Sequence, residues 1–324
     1  MLRFKIQIKK VNEEIATKLK SLGKFKHISF LRPINKGIDN KNYLLKADGR
    51  KYILKIYSLE NAEEVEYELE IIKKLRSISR FNNFPITKSD IFNINGKPTV
   101  LFYYIEGKTL CTRDINPSTI EKIAKIQAQM HKNLLNFFPV HKKFRFPIFD
   151  FSFVDYFKNI LPSTNDAFLL SEINILRKEA YRFAGIKFRK TIIHEDLNLD
   201  NIIRNKNKQL VFIDFGDSHR AEIISDIATA IKELIINVKG LDFTLVKKYL
   251  DSYQKVLTLA KKDLEILPFL WRRRTIFMVT YLTHKQEKDG NSAKLTKKIL
   301  REINTLQKLR KNEQKINNFI KNYR

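Results

Sequence analysis

The sequence predicts an α+β chain of two lobes, a small β-rich lobe ending near Ile105 and a larger, mainly helical lobe after it. Three observations carry this expectation. The chain has 324 residues, more than one hydrophobic core usually serves. Residues 27–57 and 91–104 show strand-like alternation, with Asn95-Gly96 as a hairpin signal. From Asn116 onward the apolar residues recur at helical spacing. The two lobes are therefore placed at residues 1–105 and 106–324.

In chain order, residues 11–22 read as a short leading helix. Lys51–Tyr57 is an alternating strand on which Lys55 shares a face with Ile53 and Tyr57, a poor place for a merely solvated lysine. Glu60–Arg76 follows, acidic at its start and basic at its end as the helix dipole favours, with Leu69, Ile72 and Leu75 on one stripe. Glu68 borders that stripe within reach of Lys55, while Glu64 and Glu70 compete for the same role. Helices are expected over 116–138, 164–184, 220–238, 243–260, 263–285 and 293–320.

The chemistry concentrates between Ile192 and Asp217. Asp196 and Asn201 follow His194 at the spacing of a kinase catalytic loop, and Ile213-Asp214-Phe215-Gly216 comes after a short polar turn. Phosphoryl transfer asks for one carboxylate beside the attacking hydroxyl and two oxygen ligands for Mg²⁺. Asp196 supplies the first, Asn201 and Asp214 the second, and Lys55 is the candidate for contacting the phosphates of ATP. Thr191–Ile193, Leu199–Ile203 and Leu210–Ile213 are expected to build a rigid hairpin that fixes these groups.

With these residues the chain resembles the aminoglycoside phosphotransferase and choline kinase superfamily of small-molecule kinases, over most of its length. Gly37–Leu45 is similar to the nucleotide-loop strands of bacterial choline kinases, which implies nucleotide contacts from Asn40 and Asn42. Leu101–Leu110 resembles the family's linker between lobes, where Phe102 to Tyr104 would meet adenine. Ile120–His131 is similar to a family helix ending in histidine, and Ser225-Asp226-Ile227-Ala228 to the family's Asp-Leu-Ala. The resemblance implies a bilobal protein-kinase-like fold and acceptors such as homoserine, choline or ethanolamine, hydroxylysine and aminoglycosides.

Departures from that pattern are equally informative. Glu195 stands where many members have glycine, which leaves open whether its carboxylate perturbs Asp196 or faces solvent. A phosphate loop rich in glycine is missing, with Gly37 alone available. No Ala-Pro-Glu follows Asp214, and only nine residues separate Gly216 from Asp226, too few for an activation loop with a peptide-docking surface. A protein kinase is thereby disfavoured. A catalytically weak kinase-like nucleotide-binding protein is the alternative that Glu195 and the poor glycine loop support, and a basic nucleic-acid-binding protein is the other.

Composition sets the remaining bounds. The single cysteine, Cys111, rules out an internal disulfide and suits a reducing compartment. Met1–Lys10 lacks a hydrophobic run of signal-peptide length, and no uncharged stretch is long enough to span a membrane, so a cytoplasmic protein is expected. The formal charge of +27 ordinarily points to nucleic acid. Here it accompanies abundant Lys, Asn and Ile, as AT-rich coding produces, so nucleic acid is not the expected partner. Lys294–Arg324 carries ten Lys or Arg, yet Leu295, Ile299, Ile303, Leu306, Leu309, Ile316 and Ile320 recur helically, the pattern of a packed amphipathic helix with a solvated basic face. Lys190–Glu233 reverses the sign, with eight carboxylates against six bases. Such a local acidic excess suits Mg²⁺ and an acceptor bearing an ammonium group, with Asp217 and Glu222 as candidate ligands for it.

Overall fold

The computed structural model describes residues 13–34, 40–78, 82–141, 147–156, 167–183, 185–290 and 292–323. Met1–Lys10 and the stretch around Gly37 thus lie outside the described residues. The chain divides into two compact units, one holding residues 1–108, 138–143 and 203–216, the other 109–137, 144–202 and 217–324.

The first unit opens with a helix, α1 (residues 13–21). A five-stranded antiparallel sheet follows, made of β1 (Ile28–Ile34), β2 (Lys41–Ala47), β3 (Arg50–Ile56), β4 (Phe92–Ile94) and β5 (Lys97–Tyr103), in the order β1-β2-β3-β5-β4. Two tight turns set its register. Asp48 and Gly49 between β2 and β3, and Asn95 and Gly96 between β4 and β5, all take positive φ, as two-residue hairpins with matching twist require. One face of the sheet is apolar through period-two alternation: Tyr43, Leu45 and Ala47 on β2 and Tyr52, Leu54 and Ile56 on β3 pack with Ile15 and Leu19 of α1. Lys55 therefore points to the opposite face, toward α2 (Ala62–Ile78).

On α2 the buried residues are Val65, Tyr67, Glu68, Ile71, Ile72 and Leu75. Leu69, expected on that stripe, is only half-buried, because the buried face is centred one residue earlier and takes in Glu68 itself. A smaller sheet in the order β6-β8-β9 joins β6 (Gly107–Thr109), β8 (Ile202–Asn205) and β9 (Leu210–Phe212). Gly107 is required there: a Cβ at this position would lie 2.8 Å from the Asn205 Cα and against the Arg204 carbonyl.

The expected hairpin is realised only in part. β8 and β9 pair, but Leu199–Asn201 is a 3₁₀ turn, and the strand β7 (Lys190–Ile193) leaves the hairpin to pair antiparallel with β10 (His219–Glu222). The helix expected from residue 220 consequently begins at Ile223. Strand pairing overrides a local sequence that carries no alternation of its own.

In the second unit, α3 (Pro117–Leu134) starts on an Asn116 cap, whose Oδ1 accepts the Thr119 N–H at 3.0 Å. Short α4 (Ser152–Tyr156) and α5 (Ala167–Phe183) follow. Every residue of α6 (Ile223–Ile231) is buried, and a π-helical stretch, Lys232–Ile236, carries the chain into α7 (Asn237–Lys239). The Lys232 ammonium is fully buried and ion-paired with Glu302 and Glu233. After α8 (Phe243–Gln254) and α9 (Lys261–Glu265), the long α10 (Leu267–Asp289) packs on α6 and α11 (Ala293–Lys311), and α12 (Glu313–Asn322) ends the described chain. Leu295, Leu306, Leu309, Ile316 and Ile320 are buried, whereas most lysines of α11 and α12 are exposed. Among the described residues no helix is long and apolar enough to cross a membrane.

Candidate active site

Lys55, Glu68 and Asp214 come together in the first unit although 159 residues separate the outer two. Lys55 Nζ lies 3.2 Å from both Glu68 carboxylate oxygens and 2.8 Å from Asp214 Oδ1. The Tyr57 hydroxyl donates to Glu68 Oε2 at 2.9 Å, and the ammonium also sits 4.6 Å from the Tyr57 ring centroid. Burial alone would drive the Lys55 proton off, but Asp214 and then Glu68 outweigh it and hold its pKa well above the ordinary lysine value. Burial pushes Glu68 up, and Lys55 pulls it back only in part. Glu64 is used instead at the start of α2, where it exchanges hydrogen bonds with Asn61, and Glu70 accepts the Val140 N–H.

Asp214 is held in a left-handed backbone conformation, φ 65°, uncommon for a residue with a Cβ. Phe215 packs edge-on against Phe84 at 6.0 Å and anchors the turn. At Gly216 a Cβ would lie 3.4 Å from both Asp214 Oδ1 and Lys55 Nζ, so a longer side chain would crowd the ion pair. The Asp214 side chain remains 47% exposed, which suits a carboxylate that also has a cation to meet.

Asp196 and Asn201 lie in the second unit. Asn198 caps the 3₁₀ turn by accepting the Asp200 N–H at 2.9 Å, and its amide donates to Asp196 Oδ2 at 3.0 Å. Asn201 Nδ2 donates to the same oxygen at 2.9 Å and to the Asp196 carbonyl at 2.8 Å. With its amide hydrogens turned to Asp196, Asn201 has its carbonyl oxygen left as the hard donor that Mg²⁺ prefers. Among the described residues no cluster of three or more His, Cys, Asp or Glu could hold a metal ion.

The loop is fixed from behind by Asp226. Its Oδ1 accepts the Glu195 N–H at 2.7 Å and its Oδ2 the His194 N–H at 3.1 Å. Oδ2 also accepts from Gln127 Nε2 and His131 Nε2, each at 2.9 Å. With Nε2 donating, His131 Nδ1 faces the Tyr253 hydroxyl at 2.7 Å. Burial works to raise the Asp226 pKa, but the His131 hydrogen bond and charge outweigh it and hold the carboxyl at about 2. Glu195 takes φ 67°, a left-handed conformation that favours glycine. Its carboxylate neither faces solvent freely nor confronts Asp196 alone, since Arg274 Nη1 lies 3.1 Å from Glu195 Oε1.

The other expected site residues have plainer settings. Asn40 accepts the Ser58 N–H at 3.0 Å, and Asn42 lies on β2 opposite Lys55. Around Phe102 and Tyr104, the Tyr103 and Tyr104 N–H groups already donate to the Ile86 and Lys51 carbonyls. Asp217 is exposed and does not cap α6, whose N-cap is Glu222. Glu222 is buried beside Lys190, its carboxylate 3.1 Å from that ammonium. Asp226 had a sequence signal in the Ser-Asp-Ile-Ala run. Gln127, Tyr253 and Arg274 had none, being polar residues inside helical patterns.

A family model described as "Phosphotransferase enzyme family" matches residues 31–262, well over half of the chain. Among curated relatives, a homoserine kinase of Methylobacillus glycogenes is 24% identical over 246 residues, 75% of this chain and 76% of the relative. A homoserine kinase of Neisseria meningitidis serogroup B is 26% identical over 245 residues, 74% of this chain and 77% of the relative. Among solved structures, a choline kinase from Streptococcus pneumoniae aligns with TM-score 0.71 at 19% identity, covering 93% of this chain and 99% of that one. A microcompartment-associated aminopropanol kinase aligns with TM-score 0.72 at 18% identity, covering 94% and 98%. These structures share the protein-kinase-like fold, and with the matched family model and the curated relatives they establish that the chain belongs to the phosphotransferase enzyme family, as a small-molecule kinase.

Proposed function

We propose that the chain uses ATP and Mg²⁺ to phosphorylate the hydroxyl of a small, amine-bearing acceptor of the hydroxy amino acid class, homoserine being the first to test. The observation that carries this reading is the Lys55–Glu68–Asp214 cluster, whose buried ammonium is positioned by two carboxylates as a phosphate contact demands. The homoserine kinase relatives support the acceptor class.

Each role follows from the chemistry of the side chain. Residues 1–105 would bind the nucleotide, with Lys55 on its phosphates, Glu68 orienting Lys55, and Asn40, Asn42, Phe102 and Tyr104 around the base and phosphate loop. Residues 106–324 would supply catalysis and acceptor binding. Asn201 and Asp214 would hold Mg²⁺, which offsets phosphate charge when bound. Asp196 would accept the proton of the acceptor hydroxyl while its oxygen bonds to the γ-phosphorus and the bond to the β–γ bridging oxygen breaks, releasing ADP. Asp217 is the first candidate for the acceptor ammonium because it is exposed, and Glu222 the second because Lys190 already occupies it.

The test is acceptor-dependent ADP release across homoserine, choline, ethanolamine, hydroxylysine, an aminoglycoside and an uncharged sugar, with and without Mg²⁺. Homoserine should exceed choline in kcat/KM by about tenfold or more, a discrimination of about 1.4 kcal/mol. Best turnover with an uncharged sugar would overturn the amine reading, and nucleotide binding without transfer to any acceptor would favour the catalytically weak alternative.

A further inference from the structure

Three consecutive arginines in α10, Arg272, Arg273 and Arg274, are all nine-tenths or more buried. The first two tie the helix to its neighbours. Arg272 pairs with Glu172 and Glu179 of α5, and Arg273 donates to the Pro147 and Asp150 carbonyls at 2.7 and 3.0 Å. Arg274 is directed differently. Its Nη1 lies 3.1 Å from Glu195 Oε1, its Nη2 3.3 Å from Asp196 Oδ1, and its guanidinium stacks 5.6 Å from the Phe277 ring.

We propose that Arg274 is a positioning residue for phosphoryl transfer, anchored by Glu195 and holding the Asp196 carboxylate in its working orientation. The inference rests on Asp196 acting as proposed above. Asn198 and Asn201 both donate to Oδ2 of Asp196, and contacts to one oxygen leave a carboxylate able to turn about its Cβ–Cγ bond. Arg274 grips the other oxygen, so the plane of the group is defined by both. The same guanidinium lies between two carboxylates adjacent in sequence and offsets their mutual repulsion. Glu195 thereby acquires a purpose. A glutamate at φ 67° persists only where its surroundings over-determine it, and here Asp226 takes its N–H while Arg274 takes its side chain.

The test uses the full chain, Mg-ATP and the best acceptor, comparing wild type with Arg274→Gln, Arg274→Lys, Glu195→Gln and the double variant Glu195→Gln/Arg274→Gln. Arg274→Gln should lower kcat about a hundredfold with KM for ATP and acceptor within about threefold of wild type. Arg274→Lys, keeping the charge, should recover to within about tenfold, and the double variant should be no worse than Arg274→Gln alone. Melting temperatures are recorded alongside, and if Arg274→Gln does not fold, Glu195→Gln must itself lower kcat about tenfold at unchanged KM. The proposal is overturned by an unchanged kcat, by a loss confined to acceptor KM, or by Arg274→Lys failing as badly as Arg274→Gln. An inert wild type or an active Asp196→Asn would instead overturn the kinase reading, and this inference with it.

Discussion

Asp196 carries the sharpest expectation at the scale of single residues. Replacing it by Asn keeps the shape and the Asn198 and Asn201 contacts nearby but removes the proton acceptor. Turnover should fall about two to four orders of magnitude with nucleotide affinity nearly unchanged, measured by steady-state kinetics beside a nucleotide titration. Turnover within a few-fold of wild type would remove Asp196 from the chemistry. Lys55, Asn201 and Asp214 separate by a different measurement. Lys55→Ala should weaken nucleotide binding with or without Mg²⁺, because the lost contact is to phosphate, whereas Asn201→Ala and Asp214→Ala should chiefly reduce the gain in affinity that Mg²⁺ brings. Calorimetric titrations at two Mg²⁺ concentrations distinguish the patterns, and identical wild-type behaviour in all three would place the nucleotide elsewhere.

At the scale of elements, the loop before β8 takes its shape from α3 and α6, which converge on Asp226. Its carboxyl, held at about 2 against an ordinary value near 3.9, gives the folded state stability that is fully present above about pH 4 and lost as pH falls through about 2. The loss across that window should be about 2 kcal/mol. Asp226→Asn should be less stable at pH 7 by about 2–4 kcal/mol and should lack that acid-sensitive step, as denaturant melts at pH 7, 4 and 2.5 would report. Equal acid sensitivity in both proteins would contradict the assignment. How far such elements can be read from sequence depends on how local their cause is. Asn95-Gly96, Lys55 and the polar turn after β8 are specified within a few residues and were legible. β10 was not, because His219–Glu222 becomes a strand only through pairing with β7. Glu68 was legible by its distance from Ile72 and Leu75, while the choice against Glu64 needed the Asn61 contacts.

Considered as a whole molecule, the chain divides its chemistry between two units that the sequence anticipated only as lobes. The β-rich part, the helical part and the period switch between them were visible because each rests on many residues. The return of residues 203–216 to the first unit was not, since short strands carry little periodicity. The net charge of +27 belongs to this scale too: on α11 and α12 the apolar stripe is buried and the lysines are solvated, so the charge there serves no visible site.

Lys232 draws these scales together. The family model ends at residue 262, so the final sixty-two residues of the 324 could be taken for a dispensable extension. The fully buried Lys232–Glu302 pair argues otherwise. A chain cut before α11 would remove Glu302 and leave the Lys232 ammonium, directly after α6, with Glu233 alone, at a cost of up to about 3–5 kcal/mol, a large share of the stability of an ordinary domain. Because α6 also carries Asp226, such a truncation should disturb the catalytic loop without touching any residue of it. Proteolytic trimming of the last two helices is therefore expected to inactivate the enzyme while the five-stranded sheet retains its protection against amide exchange, and full activity after trimming would show that Glu233 alone suffices to hold Lys232.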